Sequence, residues 1–329
     1  MLRPLLTRPA AIPSPSIEVL EIGPLTLRLY GLCIALGVIA AVIISSKRWE
    51  ARGGDPDDIG TIALWAVPAG VIGARMYHVA TDWNRLYADD PAAAFNITNG
   101  GLGIPGGVAL GVLVGLVVVK VKKLPALPLL DVVAPAIPVA QAIGRLGNWF
   151  NQELFGRPTD LPWGLKVDDA VALEAGYPPG TTFHPTFLYE ALWNLSLAGI
   201  LVLVDRRRKL RPGELFGFYV MGYAVGRLWV EALRIDEATT IAGLRVNTWM
   251  SLVLIVGSAT AMAIGRWRRP GGAEVEASEP TDDPDVEAEP AGDDAGDEGP
   301  DAEVGADAPE ADEATVPDAV GDQPDDGPS

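Results

Sequence analysis

The chain is 329 residues long and 49% hydrophobic, with a mean hydropathy of +0.22 and a net charge of −18. A charge of that size on so apolar a chain requires segregation. From Pro270 to Ser329 there is no Lys or Arg against 22 Asp and Glu, which leaves 25 basic and 21 acidic residues in the body before it. One cysteine, Cys33, excludes an internal disulfide framework and cysteine-rich metal sites, and no cofactor, metal or nucleic-acid partner is expected.

Residues 1–27 are read as an N-terminal extracytoplasmic segment. Met1 to Ser16 carries Arg3, Arg8 and four prolines but no sustained apolar core, so it does not read as a cleaved signal peptide, and the first membrane helix serves as the insertion signal. About 20 apolar residues cross a bilayer core, and such stretches recur near 28–46, 60–80, 102–121, 124–143, 186–204, 213–233 and 247–266. Pro125, Pro128, Pro135 and Pro138 interrupt the fourth, and only Lys120 to Lys123 separates it from the third. Cys33 lies inside the first span, where a free thiol packs as a small hydrophobe. Trp49, Trp83 and Trp267 near span ends are assigned to an interfacial aromatic belt.

Fourteen Lys and Arg follow spans one, three, five and seven, against nine in the longer segments on the other side. The positive-inside bias therefore puts the N-terminus outside and the C-terminus in the cytoplasm. The longest connection, about 144–185, is outside and holds Pro158, Pro162, Pro178 and Pro179, which suggests a small irregular or β-rich head. Residues 270–329 cannot bury enough apolar surface to offset ordering and are read as a disordered tail. The fold class is an all-α polytopic membrane protein with seven transmembrane helices over 28–269 and a small extracytoplasmic head between spans four and five. No period of 20 to 50 residues recurs, which argues against solenoids and obvious inverted-repeat transporters.

Ionisable residues within spans are costly and mark candidate sites. Arg75, Asp131, Glu190, Glu214, Arg227 and Glu231 lie in or at the edges of the middle spans. Tyr223, Arg227 and Glu231 are spaced i, i+4, i+8 and share one helix face, either as a structural Arg–Glu pair or as a phosphate site in which Glu231 orients Arg227. The densest segment, Gly144-Arg145-Leu146-Gly147-Asn148-Trp149-Phe150-Asn151-Gln152-Glu153-Leu154-Phe155-Gly156, sets a guanidinium, three amides and a carboxylate among glycines that allow close backbone approach.

That segment resembles the signature of the prolipoprotein diacylglyceryl transferase family. Tyr30-Gly31, Gly73-Ala74-Arg75, Asp131 with Pro135, His184-Pro185-Thr186 through Leu188-Tyr189-Glu190, and Gly226-Arg227 through Glu231 and Arg234 also look like family positions, so the likeness spans about 18–266. It implies transfer of a diacylglyceryl group from phosphatidylglycerol to the lipobox cysteine of a prolipoprotein in the bacterial plasma membrane. Displacement at an sp3 carbon expels an anionic phosphate, for which Arg145 and Arg227 are the candidate stabilisers. The thiol, with an ordinary pKa of ~8.5, must also lose its proton. Many family members carry His-Gly-Gly where this chain reads Pro105-Gly106-Gly107, so a histidine base at that position does not transfer. His184 is the histidine candidate, with a cap at the start of span five as its other reading; Glu153, Glu190 and proton loss assisted by the lipid are the alternatives the sequence leaves open. By the same resemblance Tyr30, Arg75, Asn148, Asn151, Gly156, Tyr223, Glu190 and Glu231 line the substrate site, with Glu153 an orienting partner. The competing classes are a seven-helix receptor, which for retinal would need a Lys absent from 246–265, and a transporter with structural intramembrane ion pairs.

Overall fold

The computed structural model describes residues 11–23, 25–95, 100–236 and 238–268. Residues 1–10, the acidic tail 270–329 and the side chain of Trp267, on which the leader, disorder and belt expectations partly rest, lie outside the described residues.

Short strands β1 (Ile12–Pro13), β2 (Val19–Ile22) and β3 (Leu25–Arg28) precede α1 (Leu29–Glu50), with β2 and β3 forming an antiparallel pair. α2 (Pro56–Asp82) starts where Asp55 accepts from the Asp57 amide and Pro56 takes a first-turn position that needs no N–H. A π-turn over Trp83–Tyr87 and a 3-10 turn over Pro91–Phe95 lead to α3 (Ile104–Val121). Pro105 fits the first turn of α3 for the same reason as Pro56. Then come α4 (Ala126–Val133) and α5 (Ala136–Phe150), bent by 42° at their junction, where Pro135 supplies no amide hydrogen to continue the ladder. After the head, α7 (Thr186–Arg207), α8 (Glu214–Glu231) and α9 (Val246–Arg268) complete the bundle.

Among the described residues five helices are long and apolar enough to cross a membrane, or six if α4 and α5 count as one bent span. α8 falls outside that set because its 18 residues include Glu214, Arg227 and Glu231. α3 shows what solvent these helices require: Gly115 alone is buried along it, while Val108, Val112, Leu113 and Val117 face outward. An apolar face that wide is stable only against hydrocarbon, where a helix keeps every backbone group paired internally.

Small residues set the close contacts. A Cβ on Gly73 of α2 would lie 2.4 Å from the Gly106 carbonyl of α3, and one on Gly37 of α1 would lie 2.8 Å from the Ala140 carbonyl of α5. This is van der Waals packing of the kind that holds helices together in lipid. Asp131, from the broken segment, reaches across to cap α8: its carboxylate accepts from the Gly213 amide at 2.6 Å and the Phe216 amide at 2.9 Å. At the basic end of the bundle, Arg48 and Arg52 both grip Asp205, Arg266 pairs with Glu214, and Lys122 with Asp58. Trp49 corrects the belt assignment, since it is buried and donates to Asp58 at 3.1 Å, whereas Trp83 is exposed.

The stretch after α5 is a small mixed head. β4 (Leu165–Lys166) pairs in parallel with β1 and antiparallel with β5 (Thr182–Phe183), and a short helix α6 (Asp169–Glu174) lies between. Phe155, Leu165, Val167, Ala172, Phe183 and Phe187 form its core. The expected 144–185 boundary moves, because 144–150 continues α5 as helix. A last hairpin, β6 (Thr240–Ile241) with β7 (Leu244–Arg245), joins α8 to α9 at the same end.

Candidate active site

The end of the bundle beneath the head gathers an ion-paired network from four elements. Glu190, one turn into α7, is its hub: Oε2 meets Arg145 Nη2 of α5 at 2.5 Å, and Oε1 meets Arg227 Nη1 of α8 at 3.1 Å. Arg227 also reaches Glu231 Oε2 at 3.0 Å, one turn along its own helix. Glu231, whose side chain is 1% exposed, pairs in turn with Arg245 Nε at 2.8 Å and accepts from Asn247 Nδ2 at 3.2 Å. Arg245 and Arg234 then share Asp236, with the closest contacts at 3.0 and 2.6 Å. Burial opposes the charge on Asp236, but the pairs with Arg234 and Arg245 outweigh it and hold the carboxyl below its ordinary range. Arg245, Asp236 and Asn247 extend the site beyond the residues singled out from sequence, and Arg234, quoted there as a motif position, joins them.

A second arm is uncharged in the middle. Arg145 Nη1 donates to Asn148 Oδ1 at 3.3 Å, and Asn148 Nδ2 donates to Glu153 Oε1 at 2.7 Å. Asn151 Nδ2 reaches the same Oε1 at 3.3 Å. The chain turns back sharply to deliver Glu153: Gln152 and Leu154 on either side of it adopt positive φ of 50° and 59°, a region that costs an L-residue on the order of 1 kcal/mol. Gln152 offsets that cost by bonding the Asp168 amide and carboxylate, which ties the turn to the head. Tyr30, at the start of α1, packs where a Cβ on Gly147 would come within 2.7 Å of its ring, and it lies within electrostatic reach of both Glu153 and Arg145. Tyr223 lines a small cavity with Glu190, Asn194 and Arg227.

Gly156 is a packing necessity. Its amide donates to the His184 carbonyl, it bridges to Arg234, and a Cβ there would lie 2.8 Å from His184 Cβ and 3.1 Å from the Leu233 carbonyl. His184 makes no side-chain cap at the start of α7; its Nδ1 lies 3.1 Å from the Tyr189 hydroxyl, which also accepts from Trp163 Nε1 at 3.0 Å.

Arg75 lies in α2. Its guanidinium donates to the carbonyls of Ala93, Ala94, Gly100 and Gly101 at 2.8 to 3.0 Å and lies over the Tyr87 ring, holding the segment between α2 and α3. His78, the second histidine, pairs with Asp82 at 3.2 Å on that same side.

Residues 18–264 match the family profile described as prolipoprotein diacylglyceryl transferase. The chain is 45% identical over 284 residues to the phosphatidylglycerol–prolipoprotein diacylglyceryl transferase of Streptomyces griseus, covering 86% of this chain and 84% of the relative. Against the protein of the same name from Corynebacterium glutamicum it is 48% identical over 260 residues, covering 76% and 82%. Against that of Bifidobacterium adolescentis it is 47% identical over 268 residues, covering 78% and 80%.

Proposed function

The chain belongs to the prolipoprotein diacylglyceryl transferase family, and from that premise we propose its reaction. It is a multi-pass bacterial membrane transferase that moves the diacylglyceryl group of phosphatidylglycerol to the lipobox cysteine of a prolipoprotein, the first step of lipoprotein maturation. The cysteine sulfur attacks the glycerol carbon next to the phosphate, a thioether forms, and the carbon–oxygen pair leaves with glycerol phosphate.

The observation that carries this reading is the meeting of Arg145 and Arg227, from two different helices, on one buried carboxylate. Each guanidinium keeps its charge in a low dielectric and offers a planar fork that matches phosphate oxygens. With Glu190 between them the forks are held before lipid arrives, so little reorganisation is needed as charge builds on the departing phosphate. Arg145 and Arg227 share the one carboxylate of Glu190, so locally two cations face one anion, the complement of a phosphodiester monoanion.

The same reading makes α8 the seventh span. Its 18 residues are about 27 Å long, close to a hydrocarbon core, and its charges are paired to Arg266 at one end and within the arginine network at the other. The N-terminus and head lie outside and the acidic tail inside, on the Lys and Arg bias. Labelling of cysteines placed at 166 and 208 tests this, and cytoplasmic labelling of 166 with external labelling of 208 would invert it.

Purified protein with labelled phosphatidylglycerol and a lipobox peptide tests the reaction. Arg145→Ala and Arg227→Ala are each expected to lower transfer per folded molecule by about 100-fold to 1000-fold, with poor rescue by Lys. Full activity in either Ala variant removes that arginine from the mechanism.

A further inference from the structure

A cavity of about 570 Å³ opens between α6 and the segment that follows α8, lined among others by Glu153, Phe155, Glu174, Tyr177, Ile235 and Asp236. Its size falls in the range of ligand sites. Glu153 belongs both to this cavity and to the chain of contacts through Asn148 to Arg145, so the cavity reaches from the head surface to the arginine network.

We infer that this cavity receives the acceptor peptide around its cysteine, with Glu153 at the inner end taking the thiol proton; the inference rests on the transferase reaction proposed above. Charge decides between the two substrates. Of the three carboxylates that line it, Asp236 is already neutralised by Arg234 and Arg245, while Glu153 and Glu174 are paired with no cation among the described residues; the lining therefore stays net negative, which disfavours a phosphate and admits a neutral thiol-bearing segment, while the lipid anion goes to the arginines behind it.

The proton acceptor follows from what each candidate already holds. Glu190 has a guanidinium on each oxygen, and Glu231 has Arg227 and Arg245. His184 Nδ1 is engaged with the Tyr189 hydroxyl at 3.1 Å. Glu153 takes two amide donors on Oε1 and is paired with no cation among the described residues. In the step, the S–H proton passes to the Glu153 carboxylate and the sulfur pair forms the new C–S bond. The C–O bond breaks with its electrons on the phosphate oxygen, and Glu153 later releases the proton to solvent.

The test is steady-state transfer by the full chain in phosphatidylglycerol nanodiscs, varying lipobox peptide and lipid separately. Ala175→Trp, at an exposed wall position, and Glu174→Lys should each raise the peptide KM roughly tenfold, a loss of about 1.4 kcal/mol, and leave the lipid KM unchanged. Glu153→Gln keeps an amide acceptor for Asn148 but removes the base, so kcat should fall by about 100-fold to 10,000-fold with little change in peptide KM and with loss of the acidic limb of the pH profile. The cavity assignment is overturned if the wall variants move the lipid KM or move neither, and the base role if Glu153→Gln keeps its kcat. Absence of transfer by the unaltered protein would sink the reaction itself, whereas normal transfer with an unmoved peptide KM sinks the inference alone.

Discussion

Replacing Glu190 separates a phosphate site held ready by a carboxylate from an ion pair that merely fastens helices. The side chain is 8% exposed and each oxygen carries one arginine, so Glu190→Ala leaves two buried guanidinium groups facing a gap. Removing one partner of a buried pair costs about 3–5 kcal/mol, enough to lower the folded population of a marginal protein. Glu190→Gln is gentler. Its single oxygen serves one arginine while its NH2 meets the donors of the other, which forfeits about one charge-assisted bond, roughly 1.5–3 kcal/mol. The arginine that loses its place is Arg145, because Arg227 retains Glu231 at 3.0 Å whereas Arg145 retains only Asn148 at 3.3 Å. If that energy is lost from transition-state positioning, transfer per folded molecule falls roughly 10-fold to 150-fold. The assay pairs labelled transfer with thermal unfolding in nanodiscs made with and without phosphatidylglycerol. An anionic headgroup supplies the charge that Gln lacks, so the lipid should raise the unfolding temperature of Glu190→Gln more than that of the unaltered protein. Equal lipid stabilisation of both proteins, with normal specific activity in the variant, would refute the phosphate-site reasoning and leave a helix fastener.

Gly156→Ala should lower the amount of folded protein by about 1–3 kcal/mol of overpacking, because its Cβ meets His184 Cβ and the Leu233 carbonyl; an unchanged unfolding temperature would show that this contact relaxes freely. Asp236 is held below its ordinary range, so the stability it contributes is present above about pH 3.9 and is lost as pH falls through its lower folded value; Asp236→Asn should flatten that acid limb in unfolding temperature measured from neutral to acidic pH. A truncation after Arg269 should retain full transfer at normal membrane abundance, since 270–329 holds no basic group for phosphate, and a loss would assign the tail a part in the reaction.

The helices were legible because hydrocarbon demands long apolar runs, and their ends were not, because capping extends them past the apolar core. α1 runs on to Glu50 through Lys47 and Arg48, and α2 begins at Pro56 under the Asp55 cap, both beyond the apolar limits at 46 and 60. The prolines of the fourth span announced an interruption, but not that Asp131 would use the break to cap α8 from another helix. Helical periodicity put Tyr223, Arg227 and Glu231 on one face and brought the Arg227–Glu231 pair within reach of sequence reasoning. It could not supply Glu190 as the residue that face meets, since period fixes direction on one helix and says nothing of its neighbour. Arg75 was grouped with the site by motif, and no periodicity could foresee that its guanidinium donates to the carbonyls of Gly100 and Gly101.

The charge balance of the site was the least visible feature and is the one with most consequence. Whole-chain charge is −18, the body before the tail is slightly basic, and neither figure bears on a network whose members come from α5, α7, α8 and the segment before α9. Arg245 looked like one more basic residue between spans, yet it is what neutralises Glu231 on the side away from Arg227. Without it, Glu231 would draw Arg227 more strongly and leave less of that guanidinium for a ligand. Arg234 and Arg245 are held by Asp236 and Glu231, whereas Arg145 and Arg227 share the single carboxylate of Glu190, and a low-dielectric site in that condition favours an added anion at those two guanidinium groups.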